Sequence, residues 1–297
     1  MDVFKAECVW DLGAELGEGP VWLPEDEAVW FVDIKGHKVH RYHPASDGKR
    51  SWDAPDQVTF LAPLADGRFV VGLKTGLHWF DPESGAFDLL ASVEPPELDN
   101  RTNDGFVDPH GRLWFGTMHD GETNPTGALY RLGADGRPVR SDDGYVITNG
   151  PTSSPDGRIL YHTDTLERVI YAFDVGDDGQ LSGKREFKRI TREGAHPDGP
   201  VTDGEGHLWS ALFGGWGLDR FAPSGEPSGR VELPCANITK GAFGGPELKT
   251  LYITSAWKGL SEEARAAQPQ AGGLFRVDLP VAGLRQNTLS VGVSGRP

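Results

Sequence analysis

Four short segments place an oxygen-bearing side chain beside a tight turn: Glu18-Gly19-Pro20, Asn103-Asp104-Gly105, Asn149-Gly150-Pro151 and Asp198-Gly199-Pro200. Each precedes an aromatic residue (Trp30, Trp114, Tyr161 or Trp209) by 12, 11, 12 and 11 residues respectively. An Asn or Asp before glycine is by itself an ordinary turn residue; the shared register gives these four their meaning. Equivalent positions of a rotationally repeated fold face the axis from different sides. Two carboxylates and two amides would meet there, a donor set that suits a hard divalent cation. Glu18, Asn149 and Asp198 are the expected ligands, and Asn103 is either a fourth ligand or a substrate contact. The matching positions of two further repeats, near Val58-Thr59 and Thr239-Lys240, carry no such group. The ion would then be held from one side, leaving places for water and substrate, as catalysis requires.

Other side chains sit near these positions. Arg101, two residues before Asn103, is either a polar anchor for a ligand or a surface arginine. His119 is expected to face the same mouth. His37, His40 and His43 alternate faces if they lie on a strand, which argues against a shared metal. His162 and His196 are either neighbours of the site or packing residues, and Trp216 and Trp257 either form a sugar-stacking wall or cover the core. The chain has no GxSxG elbow, P-loop or HExxH pattern, which disfavours serine hydrolase, nucleotide-binding and zinc-protease chemistry.

The elements that must position these groups repeat as well. Trp30, Val70, Trp114, Tyr161, Trp209 and Tyr252 are spaced by 40, 44, 47, 48 and 43 residues, the length of a four-stranded propeller blade. Alternating third-strand segments such as KVHRYHP, GLHWFDP and VIYAFDV support strands over helices. The expected fold is all-β, a six-bladed propeller forming one domain over residues 1–297. The sixth blade lacks a fourth strand of its own, and Glu7 to Leu12 is expected to supply it from the N-terminus. Ser261 to Gln268 reads as a short helix inserted in that blade. Up-and-down connectivity gathers residues 97–102, 119–124, 164–168, 214–217 and 257–272 around one mouth. The Asp-Gly turns fall on the opposite face.

Composition narrows the class. A net charge of −15 disfavours nucleic acid and anionic membranes as partners. The 40 glycines and 22 prolines punctuate the whole length, as a turn-rich β protein requires. Cys8 and Cys235 have no metal-type spacing and read as free thiols of a reducing compartment. A cytoplasmic monomer is expected.

The segments LGEGP (16–20), RTNDG (101–105), GRLWFGTM (111–118), TNGPTSSPDG (148–157), YHTDT (161–165) and HPDGPVTDGEGHLW (196–209) resemble the SMP-30/gluconolactonase, regucalcin-like family over essentially the whole chain. Within that family, DAPDQVTFLAPL, GLKTGLH and GTMHDGE are similar to bacterial pentonolactonases such as xylonolactonase. The resemblance implies one divalent metal on Glu18, Asn149 and Asp198, sugar contacts from Arg101 and Asn103, and a base role for Asp198. Where animal members have an acidic residue after GTM, this chain has His119 and then Asp120, and the contact is assigned to His119. The pentonolactonase branch points to Fe2+; Ca2+, Zn2+ and Mn2+ also occur in the family. The expected reaction is hydrolysis of an aldonolactone, with D-xylonolactone or a related pentonolactone foremost, in oxidative sugar catabolism. The rivals are a broader esterase or organophosphate hydrolase and a non-catalytic metal-binding propeller.

Overall fold

The computed structural model describes residues 2–293. Six sheets surround a central channel, each an up-and-down meander running outward from an inner strand. The inner strands of blades one to six are Gly17–Leu23, Val58–Pro63, Asn100–Val107, Thr148–Ser153, His196–Thr202 and Asn237–Gly244. Blade six is closed by Glu7–Trp10, antiparallel to Leu274–Asp278, so the N-terminal segment completes the ring as expected. A helix, Glu262–Ala267, follows the N-cap Ser261, whose side chain accepts from the Ala264 amide.

Two further segments complete the molecule. Asp2–Lys5 adds to blade five as a fifth strand, parallel to Pro227–Glu232. The C-terminal segment then runs irregularly beneath the ring. It contacts blade five through Gly204 N–H to Ala282 O (2.8 Å), blade three through Asn287 Nδ2 to Val107 O (3.0 Å), and blade two through Leu289 N–H to Pro63 O (2.8 Å). Leu289 is buried there.

Each second strand carries the apolar anchor of its blade. In blades one, three and five the anchor indole donates to an aspartate of the turn face: Trp30 to Asp26 (2.8 Å), Trp114 to Asp108 (2.9 Å) and Trp209 to Asp203 (3.0 Å). Arg41, Arg112 and Arg220 ion-pair with the same three aspartates. A buried indole N–H needs an acceptor and a buried carboxylate needs compensating charge; one local arrangement meets both demands. The turns at Asp26, Asp108 and Asp203 therefore brace blades one, three and five.

The inner strands explain how the axis is lined. All six slip register against their second strands at one repeat position: Glu18/Val21, Val58/Phe60, Thr102/Gly105, Asn149/Thr152, Pro197/Pro200 and Ile238/Lys240. A bulge breaks the two-residue alternation and re-aims side chains. Here it turns Glu18, Asn103, Asn149 and Asp198 toward the channel. Gly19 and Gly150 adopt positive φ (54° and 74°), which most residues avoid. A Cβ at Gly150 would lie 2.9 Å from the Pro200 ring, so neighbouring blades can close this tightly only around glycine.

Candidate metal and substrate site

A cavity of about 220 Å³ opens at the mouth end of the channel. Glu18, Arg101, Asn103, Asn149 and Asp198 all line it, and all five are buried. Each acidic group has one oxygen engaged by the amide that follows it: Gly19 N–H to Glu18 Oε2 and Gly199 N–H to Asp198 Oδ1, both 2.9 Å. The amide of Asn149 is oriented by its neighbours. Thr165 Oγ1 donates to Pro197 O (3.0 Å), so it must accept from Asn149 Nδ2 (2.8 Å), which fixes the oxygen of Asn149 on the other side. That oxygen accepts from Asn103 Nδ2 at 2.9 Å.

Arg101 donates to the Asn103 side-chain oxygen and to Thr102 O (3.0 Å), and its Nε reaches Asp120 Oδ1 at 3.2 Å. Asp120 also accepts from Lys35 and Lys74 (both 2.9 Å) and from Gln57 (3.0 Å). Burial pushes this carboxyl up, but Lys74, Lys35, Gln57 and Arg101 outweigh that and hold it well below the usual range. Asp120 is the buttress of Arg101.

His119 is not brought to the site. Met118 lines the cavity, and the next residue of the strand Leu113–His119 points to the other face. Its ring nitrogens lie 3.2 Å from Thr123 Oγ1 and 3.3 Å from Asn124 Nδ2. Of the other sequence candidates, His196 lines the cavity, with Nδ1 3.3 Å from Thr165 O. His162 is fully enclosed in blade four, pushed down to about 3 by burial, and does not line it. Trp257 packs against Arg265, 3.9 Å from its ring, and Trp216 is half-exposed; neither forms a wall of the cavity. The apolar walls are Leu16, Met118, Ile147, Leu166 and Phe213, and the pair Glu122–Lys258 spans the rim from blade three to blade six.

Below the site a buried pair crosses the axis. Lys240 of blade six meets Asp104 of blade three. Asp104 Oδ2 accepts from Gly150 N–H (2.9 Å) and Oδ1 from Gly105 N–H (2.7 Å). Burial and the nearby charge of Asp104 push Glu18 up to about 8 against the pull of Lys240 and Arg101. Burial, Glu18 and Asp104 likewise raise Asp198 well above the usual range. Two buried carboxylates that disfavour each other's charge call for a cation, and the surrounding donors are oxygens. The set fits a hard divalent ion.

A different acidic group, Asp203, Glu205 and His207, also brings three ligand-type atoms within 4.8 Å of one another. It belongs to the bracing turn. Asp203 already accepts from Trp209 and from Arg220 Nε (2.9 Å) and Nη2 (2.7 Å), and Arg220 also holds Glu205. Its charge is compensated by arginine.

The fold and site together define a six-bladed propeller with a carboxylate-lined axial cavity. The chain belongs to the SMP-30/Gluconolactonase/LRE-like family, whose match spans residues 16–257. It is 36% identical to the L-arabinolactonase of Azospirillum brasilense over 94% of both chains. It is 33% identical to the 6-deoxy-6-sulfogluconolactonase of Pseudomonas putida, over 92% of this chain and 95% of that one. Among solved structures, a calcium-binding protein, regucalcin, from Agrobacterium tumefaciens superposes with a TM-score of 0.93 at 30% identity, covering 98% of this chain and all of that one.

Proposed function

We propose that this protein hydrolyses a sugar lactone to the aldonic acid, with a pentonolactone such as D-xylonolactone as the foremost substrate. The observation that carries the reading is the convergence of Glu18, Asn149, Asp198, Arg101 and Asn103 in one small cavity at the axis. Relatives named as lactonases, one of them for arabinolactone, support it.

Glu18, Asn149 and Asp198 would hold the divalent ion; Fe2+ is favoured by the resemblance to pentonolactonases, with Ca2+, Zn2+ and Mn2+ as alternatives. When bound, such an ion supplies Lewis-acid polarisation of the lactone carbonyl, a more acidic water and the charge that keeps both carboxylates ionised. Asp198 accepts a proton from the attacking water. Arg101, held by Asp120, donates to ring and hydroxyl oxygens; Asn103, whose two amide hydrogens go to Thr148 O and Asn149, accepts from a sugar hydroxyl at its side-chain oxygen, and together they fix the approach of the substrate. His119 takes no part in this scheme, because its ring is turned to Thr123 and Asn124. Leu16, Met118, Ile147 and Phe213 limit bulk water in the cavity.

Acid release from xylono-, arabinono- and gluconolactone, followed by pH-stat with each metal restored to stripped protein, tests the proposal. The expected result is metal-dependent hydrolysis, fastest on a pentonolactone and reduced roughly 10²–10⁴-fold by Asp198→Ala. Near-normal turnover in that variant would remove Asp198 as the base. Ion binding with no hydrolysis of any lactone would instead favour a calcium-binding role, as in the regucalcin named above.

A further inference from the structure

Lys240 and its partner Asp104 are members of the axial cluster to which the lactonase reaction gives no role. Lys240 stands on the inner strand Asn237–Gly244, at the bulge where blades one, three, four and five offer Glu18, Asn103, Asn149 and Asp198. Its ammonium is buried and meets two oxygens, Asp104 Oδ1 and, at 3.4 Å, Gly105 O. The pair joins blades on opposite sides of the ring, beneath Glu18, Asn149 and Asp198. Both ends touch the turns that aim those ligands. Asp104 holds the amide of Gly150, next to Asn149. The lysine stem lies against Gly199, next to Asp198, where a Cβ would come within 2.7 Å of Lys240 Cγ.

Charge counting explains why a cation is needed there. Glu18, Asp104 and Asp198 are three buried carboxylates, and Arg101 is already shared between Asn103 and Asp120. One divalent ion at the ligand set would still leave Asp104 without a cationic partner. A buried, unpaired carboxylate is strongly destabilising, and an oxygen-only environment of this kind otherwise attracts a hard metal ion.

We propose that Lys240 is a built-in structural cation: its ammonium takes the place of a second metal ion under the ligand set, neutralising Asp104 and fixing the turns that carry Asn149 and Asp198. This rests on the reading of Glu18, Asn149 and Asp198 as the ligands of one ion. Lys240 is a positioning residue in this account and touches no substrate.

The test compares metal-stripped wild type with Lys240→Met, which keeps the length of the side chain and loses its charge. The measurements are thermal melting in chelator and calorimetric titration with Ca2+. The variant is expected to melt roughly 5–10 °C lower in chelator. Millimolar Ca2+ should recover most of that loss, and the ions bound per chain should rise from about one to about two. The double variant Asp104→Asn/Lys240→Met removes both charges; it is expected to melt close to wild type and to bind a single ion. The proposal is overturned if Lys240→Met melts with wild type and binds one ion at unchanged affinity. It is equally overturned if the double variant is as unstable as the single one, since the lysine would then act through packing alone. Should wild type bind no ion at all, the metal-centre reading fails, while the melting comparison still judges the lysine. An inability of Lys240→Met to fold in chelator that Ca2+ reverses is a result the proposal expects.

Discussion

Asp120, outside the cavity wall, holds a residue that lines it. It gathers Lys35, Lys74, Gln57 and Arg101, and only the last of these lines the cavity. Under the proposed function Arg101→Ala would remove a charge-assisted contact to substrate and should raise KM roughly 10–100-fold with a smaller change in kcat. Asp120→Asn leaves the guanidinium present but less constrained and should raise KM by a smaller factor; steady-state kinetics on both variants checks this, and an Asp120→Asn enzyme with unchanged KM would refute the buttress. Glu18 supplies a pH signature. Its folded-state value is about 8 against an ordinary 4.5, so the metal-free folded chain binds an extra proton between those values. Stability from this group is therefore fully present below about 4.5 and is lost as pH rises through 8. In chelator, wild type should lose stability relative to Glu18→Gln between pH 5 and 8, read as diverging melting temperatures, and metal affinity should strengthen across the same window. Parallel melting curves would contradict the assignment.

At the scale of elements, the bulged inner strand is the device that makes the site, and the Trp–Asp–Arg brace is the device that holds blades one, three and five. Asp203→Asn should cost about 3 kcal/mol in urea unfolding, because Arg220 and the Trp209 indole lose a buried partner. It should leave the ion count unchanged; loss of an ion on this substitution would move the metal centre to the turn face. Much of this level could be read from the chain. Six anchors at blade spacing fixed the repeat, and Glu7–Trp10 was recognisable because blade six lacked a fourth strand. The helix Glu262–Ala267 announced itself by its cap and first-turn glutamates. What escaped was what no repeat encodes. Asp2–Lys5 is four residues long and pairs in parallel with a distant strand. Lys240 breaks the repeat and finds its partner 136 residues away. His119 differs from the cavity-lining Met118 only in strand parity, which a bulged sequence does not reveal. Glu122 and Lys258, on loops with no repeat signal, meet only when the ring closes.

The whole molecule works as a ring that converts sequence repetition into convergence. Glu18, Asn149 and Asp198 come from blades one, four and five, and no two of the three are within 40 residues in the chain. Closure of blade six by the N-terminal strand, and the C-terminal segment passing beneath blades five, three and two, hold that circle together. No helix among the described residues is long and apolar enough to cross a membrane. The proposed site depends on these three side chains sharing a cation. Its most direct test is metal titration of stripped wild type beside Glu18→Gln, Asn149→Ala and Asp198→Asn, each first shown to be folded. The expected result is a divalent ion bound tightly at the axis in wild type and bound at least tenfold more weakly in every variant. Wild-type affinity retained in all three folded variants would contradict it.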